Sequence, residues 1–278
     1  MPKISAVINT LNEANNIRAC LKTLSWCDEI IIVDMYSEDE TVRIASDFTS
    51  NIFMFEKKGY VEPARQFAVE KTTGNWVLIV DADELFPFSL SKRLIEYSIS
   101  GKGDVLYIPR KNYIMGEWIR HTGWWPDLQP RFFKKGSVDF TDQIHAGFQI
   151  KGDAVKEFLP KVPELAIEHF AYNDADHFVR KLNSYTNYEA KHLWHTEQSF
   201  NLIRMVLKSG REFYNRFIKS KGYKDGYRGF FLSIMMVFYQ TLVWIKLWEL
   251  SENHGEDSKK IYDQAKNKIM NSAQRLDE

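Results

Sequence analysis

Two carboxylates one residue apart, Asp81 and Asp83, close the apolar run Trp76-Val77-Leu78-Ile79-Val80. A short apolar run bounded by polar residues reads as a strand buried on both faces, as in a parallel sheet. In open α/β sheets, ligands bind beyond the carboxyl ends of the strands. Carboxylates placed there can hold a divalent cation, and the cation can neutralise a diphosphate. The plainer alternative is a solvated turn, because Asp-x-Asp is common on loops. Three further polar clusters argue against that alternative. Thr10-Leu11-Asn12-Glu13 follows a first strand, Asp34 with Ser37 and Asp39 follows a second, and Lys57, Lys58 and the nearby Arg65 follow a third. Four clusters at one sheet edge suit a nucleotide: carboxylates bond base and ribose, and a guanidinium bonds phosphate or base oxygens.

The elements that position these residues alternate. Strands are predicted at 4–9, 29–34, 51–55 and 76–80. A helix with Ile17, Cys20, Leu21 and Leu24 on one face follows the first, and one with Val42, Ile44, Ala45 and Phe48 follows the second. Ser37 to Asp39 can cap the latter, and residues 65–71 form a third helix. Strand and helix in alternation imply right-handed βαβ units and a Rossmann-like, α/β nucleotide-binding half over 1–100. Short strands at 104–108, 131–133 and 138–140 then suggest an antiparallel or mixed extension of the sheet. Residues 150–168 read as loop, and the pattern is helical from about 174. The expected domains are an α/β domain over 1–172, with 101–172 as its second half, and a helical region over 173–278.

Composition narrows the function. Thirty-seven basic residues balance 37 acidic ones in 278 residues, which argues against a nucleic-acid partner. Cys20 and Cys27 form no metal or redox motif, so free thiols in a reducing compartment are expected. Residues 1–10 lack the pattern of a signal peptide, and a cytoplasmic location is expected.

The motifs Asn12-Glu13, Val33-Asp34-x-x-Ser37-x-Asp39-x-Thr41, Arg65 and Val80-Asp81-Ala82-Asp83 resemble glycosyltransferase family 2. Trp124-Trp125-Pro126-Asp127-x-Gln129-x-Arg131-Phe132-Phe133, His145, His169-Phe170-Ala171-Tyr172 and the segment from Gly222 to Phe230 are similar to the bacterial lipopolysaccharide-core and capsule transferases of that family. The resemblance implies a GT-A fold and metal-dependent transfer of a sugar, with inversion, from a nucleotide sugar; a UDP-sugar is the expected donor. It places Thr10, Asn12, Glu13 and Asp34 around the nucleotide, with Asp39 at the base and Arg65 at the base or diphosphate. Asp81 would face the ribose and Asp83 would ligate Mg²⁺ or Mn²⁺. His169 is the candidate second ligand; a core histidine bonded to a carbonyl is the alternative. Inversion also needs a base for the acceptor hydroxyl. Relatives carry an acid directly after the histidine matching His145, whereas this chain has Ala146 and Gly147 there. Asp142 or His145 itself is the candidate, ahead of Asp127 and Asp139.

The last third suggests where such an enzyme works. Arg204, Lys208, Arg211, Arg216, Lys219, Lys221 and Lys224 interleave with apolar residues, as on a helix at an anionic membrane surface. Residues 229–245 carry no charge and read as a helix lying in the interface. Packing on the catalytic domain, or a homodimer through these helices, comes next, and a transmembrane span last. The expectation is a peripheral enzyme on the inner face of the cell membrane acting on a lipid-linked glycan, with the aromatic segment from Tyr113 to Trp125 stacking on acceptor sugars. Two rivals stand beside it. A sugar nucleotidyltransferase would need a glycine-rich loop after the first strand, and Thr10-Leu11-Asn12-Glu13 has no glycine. A non-catalytic glycan- or membrane-binding scaffold would explain the missing acid after His145.

Overall fold

The computed structural model describes residues 1–56, 62–100, 102–140, 148–256 and 258–274, in two compact units, 1–174 and 175–278. The first unit opens with β1 (Ile4–Thr10), α1 (Ile17–Lys22), β2 (Glu29–Asp34), α2 (Thr41–Ser46), β3 (Ile52–Met54), α3 (Glu62–Lys71) and β4 (Trp76–Asp81). These four strands are parallel in the order β3-β2-β1-β4. Their side chains alternate between two cores. Ala6, Ile8, Ile32, Leu78 and Val80 pack with Ile17 and Leu21 of α1, while Val7, Ile31, Val33, Val77 and Ile79 pack with Ala64 and Ala68 of α3. Burial on both faces is why the strands read as unbroken apolar runs.

The sheet then turns mixed. The chain continues through β5 (Glu84–Leu85), α4 (Phe88–Ser100), β6 (Val105–Ile114), β7 (Glu117–Trp118), β8 (Asp127–Lys134), β9 (Val138–Asp139), β10 (Gln149–Ile150), β11 (Lys156–Phe158) and β12 (Ile167–Tyr172), of which β9 and β10 pair with each other in a separate two-stranded sheet. β8 lies antiparallel between β4 and β6, β12 runs parallel to β6, and β5 closes the row antiparallel to β12. Two sequence expectations need correction. β6 runs six residues past 108, because Arg110 and Asn112 point inward onto polar partners and so interrupt the apolar pattern without ending the strand. Residues 150–168 are also not all loop: they hold β11, a 3₁₀ turn at Pro163–Leu165 and the start of β12. His169 therefore lies within a strand and not at the end of a loop. β11 is three residues long and mostly polar, below the length at which alternation is legible.

The second unit holds α5 (Ala175–His195), α6 (Leu202–Phe213), a π turn at Tyr214–Lys219, a 3₁₀ turn at Gly222–Asp225, α7 (Gly226–Glu252) and α8 (Ser258–Gln274). The Asn201 side chain accepts the Arg204 N–H at 2.9 Å and caps α6. At Gly229 a Cβ would sit 1.9 Å from the Gly222 carbonyl oxygen, so only glycine lets α7 pass this close to the turn before it. α7 buries Leu232, Val243, Trp244 and Leu247. Gly222–Glu252 is long and apolar enough to cross a membrane, by length and composition.

Candidate active site

The ends of β1 and β2 are stitched together by the predicted nucleotide residues themselves. Asp34 is fully buried: its Oδ1 accepts the Thr10 hydroxyl at 2.8 Å and the Ser37 hydroxyl at 2.6 Å, and its Oδ2 accepts the Ser37 N–H at 2.7 Å. Asn12 takes φ +57°, a left-handed conformation that asparagine tolerates. Its N–H donates to Ser37 Oγ, and its Oδ1 accepts the Glu38 N–H, both at 2.8 Å. The Glu13 N–H donates to Thr41 Oγ1 at 2.8 Å, and its carboxylate accepts Asn16 Nδ2. Asp39 is exposed and accepts the N–H groups of Ala14 at 3.1 Å and Thr41 at 3.0 Å. Its slight burial raises the carboxyl pKa, but the Thr41 hydroxyl and these backbone donors hold it below the ordinary value. Asp39 is thus an anion at neutral pH, on the rim of two loops that cannot move independently.

Beyond β4 the charges form a closed group. Asp81 Oδ1 accepts Arg65 Nη2 at 2.7 Å, and its Oδ2 bonds Arg131 Nη2. Arg131 also reaches the fully buried Glu84 at 2.9 Å. Arg110 bridges Glu84 at 3.1 Å and Asp127 at 2.7 Å. Three guanidinium groups thus face three carboxylates, so the group is neutral as a whole. Burial raises the Asp81 pKa, but Arg131, Arg65 and Arg110 outweigh it and hold the carboxyl far below the usual range. Asp127 is likewise held low, because Arg110, Asn112 and Gln129 outweigh its burial, and a carboxylate so occupied is a poor base.

Asp83 and His169 come together from different strands. His169 Nε2 stands 3.5 Å from Asp83 Oδ1, and β12 is tied to the β4–β5 turn by the Phe170 N–H bonding the Asp83 carbonyl at 3.0 Å. The other imidazole nitrogen, Nδ1, lies 2.6 Å from Asn112 Oδ1. Asn112 is fully buried, and its Nδ2 donates to the Trp124 carbonyl at 3.0 Å and to Asp127 Oδ2 at 3.1 Å. Two acceptors on the amide nitrogen fix which way the amide faces. Oδ1 must then accept from Nδ1–H, which leaves Nε2 as the ring nitrogen directed at a carboxylate oxygen. A ring nitrogen and a carboxylate oxygen at that distance are placed where both could ligate one cation, and a histidine held at Nδ1 is the usual arrangement of a metal ligand.

Asp81, Asp83, Arg65 and His169 therefore share one end of the sheet, as their sequence positions suggested. Lys57, Lys58, Asp142 and His145 lie outside the described residues. Sequence reasoning passed over Glu84, Arg110 and Asn112. Glu84 directly follows the carboxylate triplet, which was a usable signal; Asn112 had none, since its value lies in its partners. The aromatic segment divides. Strand alternation puts Tyr113 and Phe170, stacked at 4.9 Å, on the face opposite Asn112 and His169. Trp118 lies with them, under Lys111 and Arg120. Trp124 joins the site side through its carbonyl and packs edge-on against Tyr172.

Residues 5–159 match the family model described as glycosyl transferase family 2. The chain belongs to glycosyltransferase family 2. It is a glycosyltransferase with the GT-A fold, and the parallel β3-β2-β1-β4 half with its mixed extension is that fold's sheet. A glycosyltransferase of Rickettsia bellii is 29% identical over 90% of this chain and 87% of its own length. The lipopolysaccharide core biosynthesis glycosyltransferase LpsC of Rhizobium meliloti is 24% identical over 90% and 94%. Among solved structures, S. aureus TarS 1-349 is similar over 91% of this chain and 92% of its own, at 12% identity and a TM-score of 0.45. Glucosyl-3-phosphoglycerate synthase of Mycobacterium tuberculosis, in complex with Mg²⁺ and uridine diphosphate, is similar over 41% and 44%, at 22% identity and a TM-score of 0.34. Membership in the family decides against nucleotidyl transfer.

Proposed function

We propose that this glycosyltransferase moves a sugar from a UDP-sugar, with inversion and with Mg²⁺ or Mn²⁺, onto a lipid-linked glycan such as a lipopolysaccharide-core or capsule precursor. The observation that carries the proposal is the Asp83–His169 pair at 3.5 Å, with the imidazole held at Nδ1 by Asn112. One carboxylate and one imidazole fit a divalent ion whose remaining positions are filled by water and substrate phosphates. Bound there, the ion would neutralise charge on the departing diphosphate. Asp39, Thr10, Asn12, Glu13 and Asp34 form the rigid loops against which base and ribose would rest. Arg65 would meet the base or diphosphate beside Asp81, which Arg131 and Arg65 keep ionised for a ribose hydroxyl. Asp142 or His145 would take the acceptor proton. The enzyme would work in the cytoplasm, on the inner face of the cell membrane.

A thermal-shift screen of nucleotide sugars with and without Mn²⁺ tests this reading. A ligand that binds only the native state raises its melting temperature, by an amount that grows with its concentration over Kd. UDP-sugars are expected to raise it only with the metal present. No shift with any common nucleotide sugar would sink the donor assignment. A narrower prediction concerns Asn112. In Asn112→Leu the imidazole loses the acceptor that orients it, and Mn²⁺ affinity measured by calorimetry in the presence of UDP should fall about 10–100-fold. Unchanged affinity would mean that His169 needs no orientation, or is not a ligand.

A further inference from the structure

α6 leaves its apolar face uncovered. Leu202, Ile203, Val206 and Leu207 are 59, 70, 59 and 66% exposed, and their spacing puts them on one side of the helix. Arg204, Lys208 and Arg211 recur four and three residues apart on the neighbouring stripe. A third side packs on α7, where Ser209 Oγ meets Thr241 Oγ1 at 3.0 Å. α7 adds a second uncovered stripe: Tyr227, Phe231, Ile234, Phe238, Ile245 and Trp248 are all more than 40% exposed, at spacings of three, four and seven. The aromatic contacts of Phe230 with Phe213 and Phe217 join α7 to the α6 side. So much contiguous apolar surface is rare on a protein that meets only water.

We propose that α6, with the adjoining stripe of α7, is the surface by which this enzyme docks on an anionic phospholipid bilayer, lying in the interface and not crossing it. Charge selects the occupant. Between Leu202 and Arg228 there are eight Lys and Arg against Glu212 and Asp225, and Glu212 is already paired with Arg216. A second copy of the chain seated on this face by a two-fold axis would set like charges against each other. Anionic headgroups beside an acyl layer satisfy both the cations and the apolar stripe. α7 is also tied to a polar neighbour. Lys246 Nζ donates to Asn183 Oδ1 at 2.7 Å and Thr186 Oγ1 at 2.8 Å of α5, and Tyr239 donates to Glu189. A span would carry those groups into hydrocarbon, where each needs a partner. The surface takes only its purpose from the proposed function, that of holding the enzyme where a lipid-linked acceptor lies.

Co-sedimentation of the full chain with phosphatidylcholine vesicles, with and without phosphatidylglycerol, tests the docking. Binding is expected to the anionic vesicles, and to weaken as salt is raised. Neutralising Arg204, Arg211 and Lys219 together to Gln should lower partitioning about a hundredfold, at about fivefold for each cation. Ile203→Ser with Leu207→Ser should abolish it at any salt. All five residues are exposed, and an unchanged helical circular-dichroism signal confirms that each variant folds. Equal binding to neutral and anionic vesicles would overturn the charge argument. Failure to bind either, with a dimer in solution that Ile203→Ser/Leu207→Ser dissociates, would reassign the face to a second copy. Neither outcome touches donor binding, so the docking can fail while the transfer chemistry stands.

Discussion

Asp83→Ala is expected to lower sugar transfer about 10²–10³-fold, the usual loss when a group stabilising developing charge is removed, and to abolish the dependence of UDP binding on Mn²⁺. The side chain faces His169 Nε2 at 3.5 Å, so its removal takes one of two protein contacts from the proposed ion. A single imidazole at that position would compete poorly with water for a hard cation that prefers oxygen. The metal-independent part of binding, to the loops held by Asp34 and Asn12, should survive. UDP is therefore expected to bind the variant weakly and equally with and without metal. Calorimetry with UDP, with Mn²⁺ and with both separates these terms. A variant that still shows tight, metal-dependent UDP binding would remove Asp83 from the metal site. His169→Ala should act in the same direction but less, because the carboxylate that remains carries the charge.

Much of this site was legible in the sequence, for a physical reason. The parallel half buries both faces of each strand, so 76–80 stands out as an apolar run and its polar end is conspicuous. The topology then places that end beside Thr10, Asp34 and Arg65 without further information. His169 was found by type and approximate position, although its strand was hidden by the polar pair Glu168-His169, which breaks the alternation. What could not be read is pairing. Arg110 and Arg131 look like ordinary strand residues, and only the register of β8 against β4 and β6 brings them to Asp81 and Glu84. The aromatic segment failed in the opposite sense: its composition suggested one surface, and a two-residue period splits it between two.

Arg131→Met should be the most destabilising single change at the site. The Arg131 side chain is only 7% exposed, and its guanidinium joins Asp81 to Glu84, whose side chain has no exposed surface at all. Removing it leaves two carboxylates and a third, Asp127, facing Arg65 and Arg110 alone, so a neutral group becomes a buried net negative charge. Breaking a buried pair from one side costs about 3–5 kcal/mol, or a fall of roughly 10 °C in melting temperature for a chain of this size. Glu84→Gln alone should also destabilise, with the opposite excess. The double variant should recover part of the loss, since it restores charge balance; if the two losses simply add, the residues are not coupled through the group. Acid should break the same pair from the other side without mutation. The Asp81 pKa is depressed in the fold, so its contribution is fully present above the ordinary carboxylate pKa of about 3.9 and is lost only as pH falls towards its native value. Stability of the parent should therefore hold from neutral pH down to about 4 and decline below it. Arg131→Met, which lacks the strongest of the charges depressing that pKa, should show a shallower decline at low pH, because Arg65 and Arg110 alone hold Asp81 less far below the ordinary range.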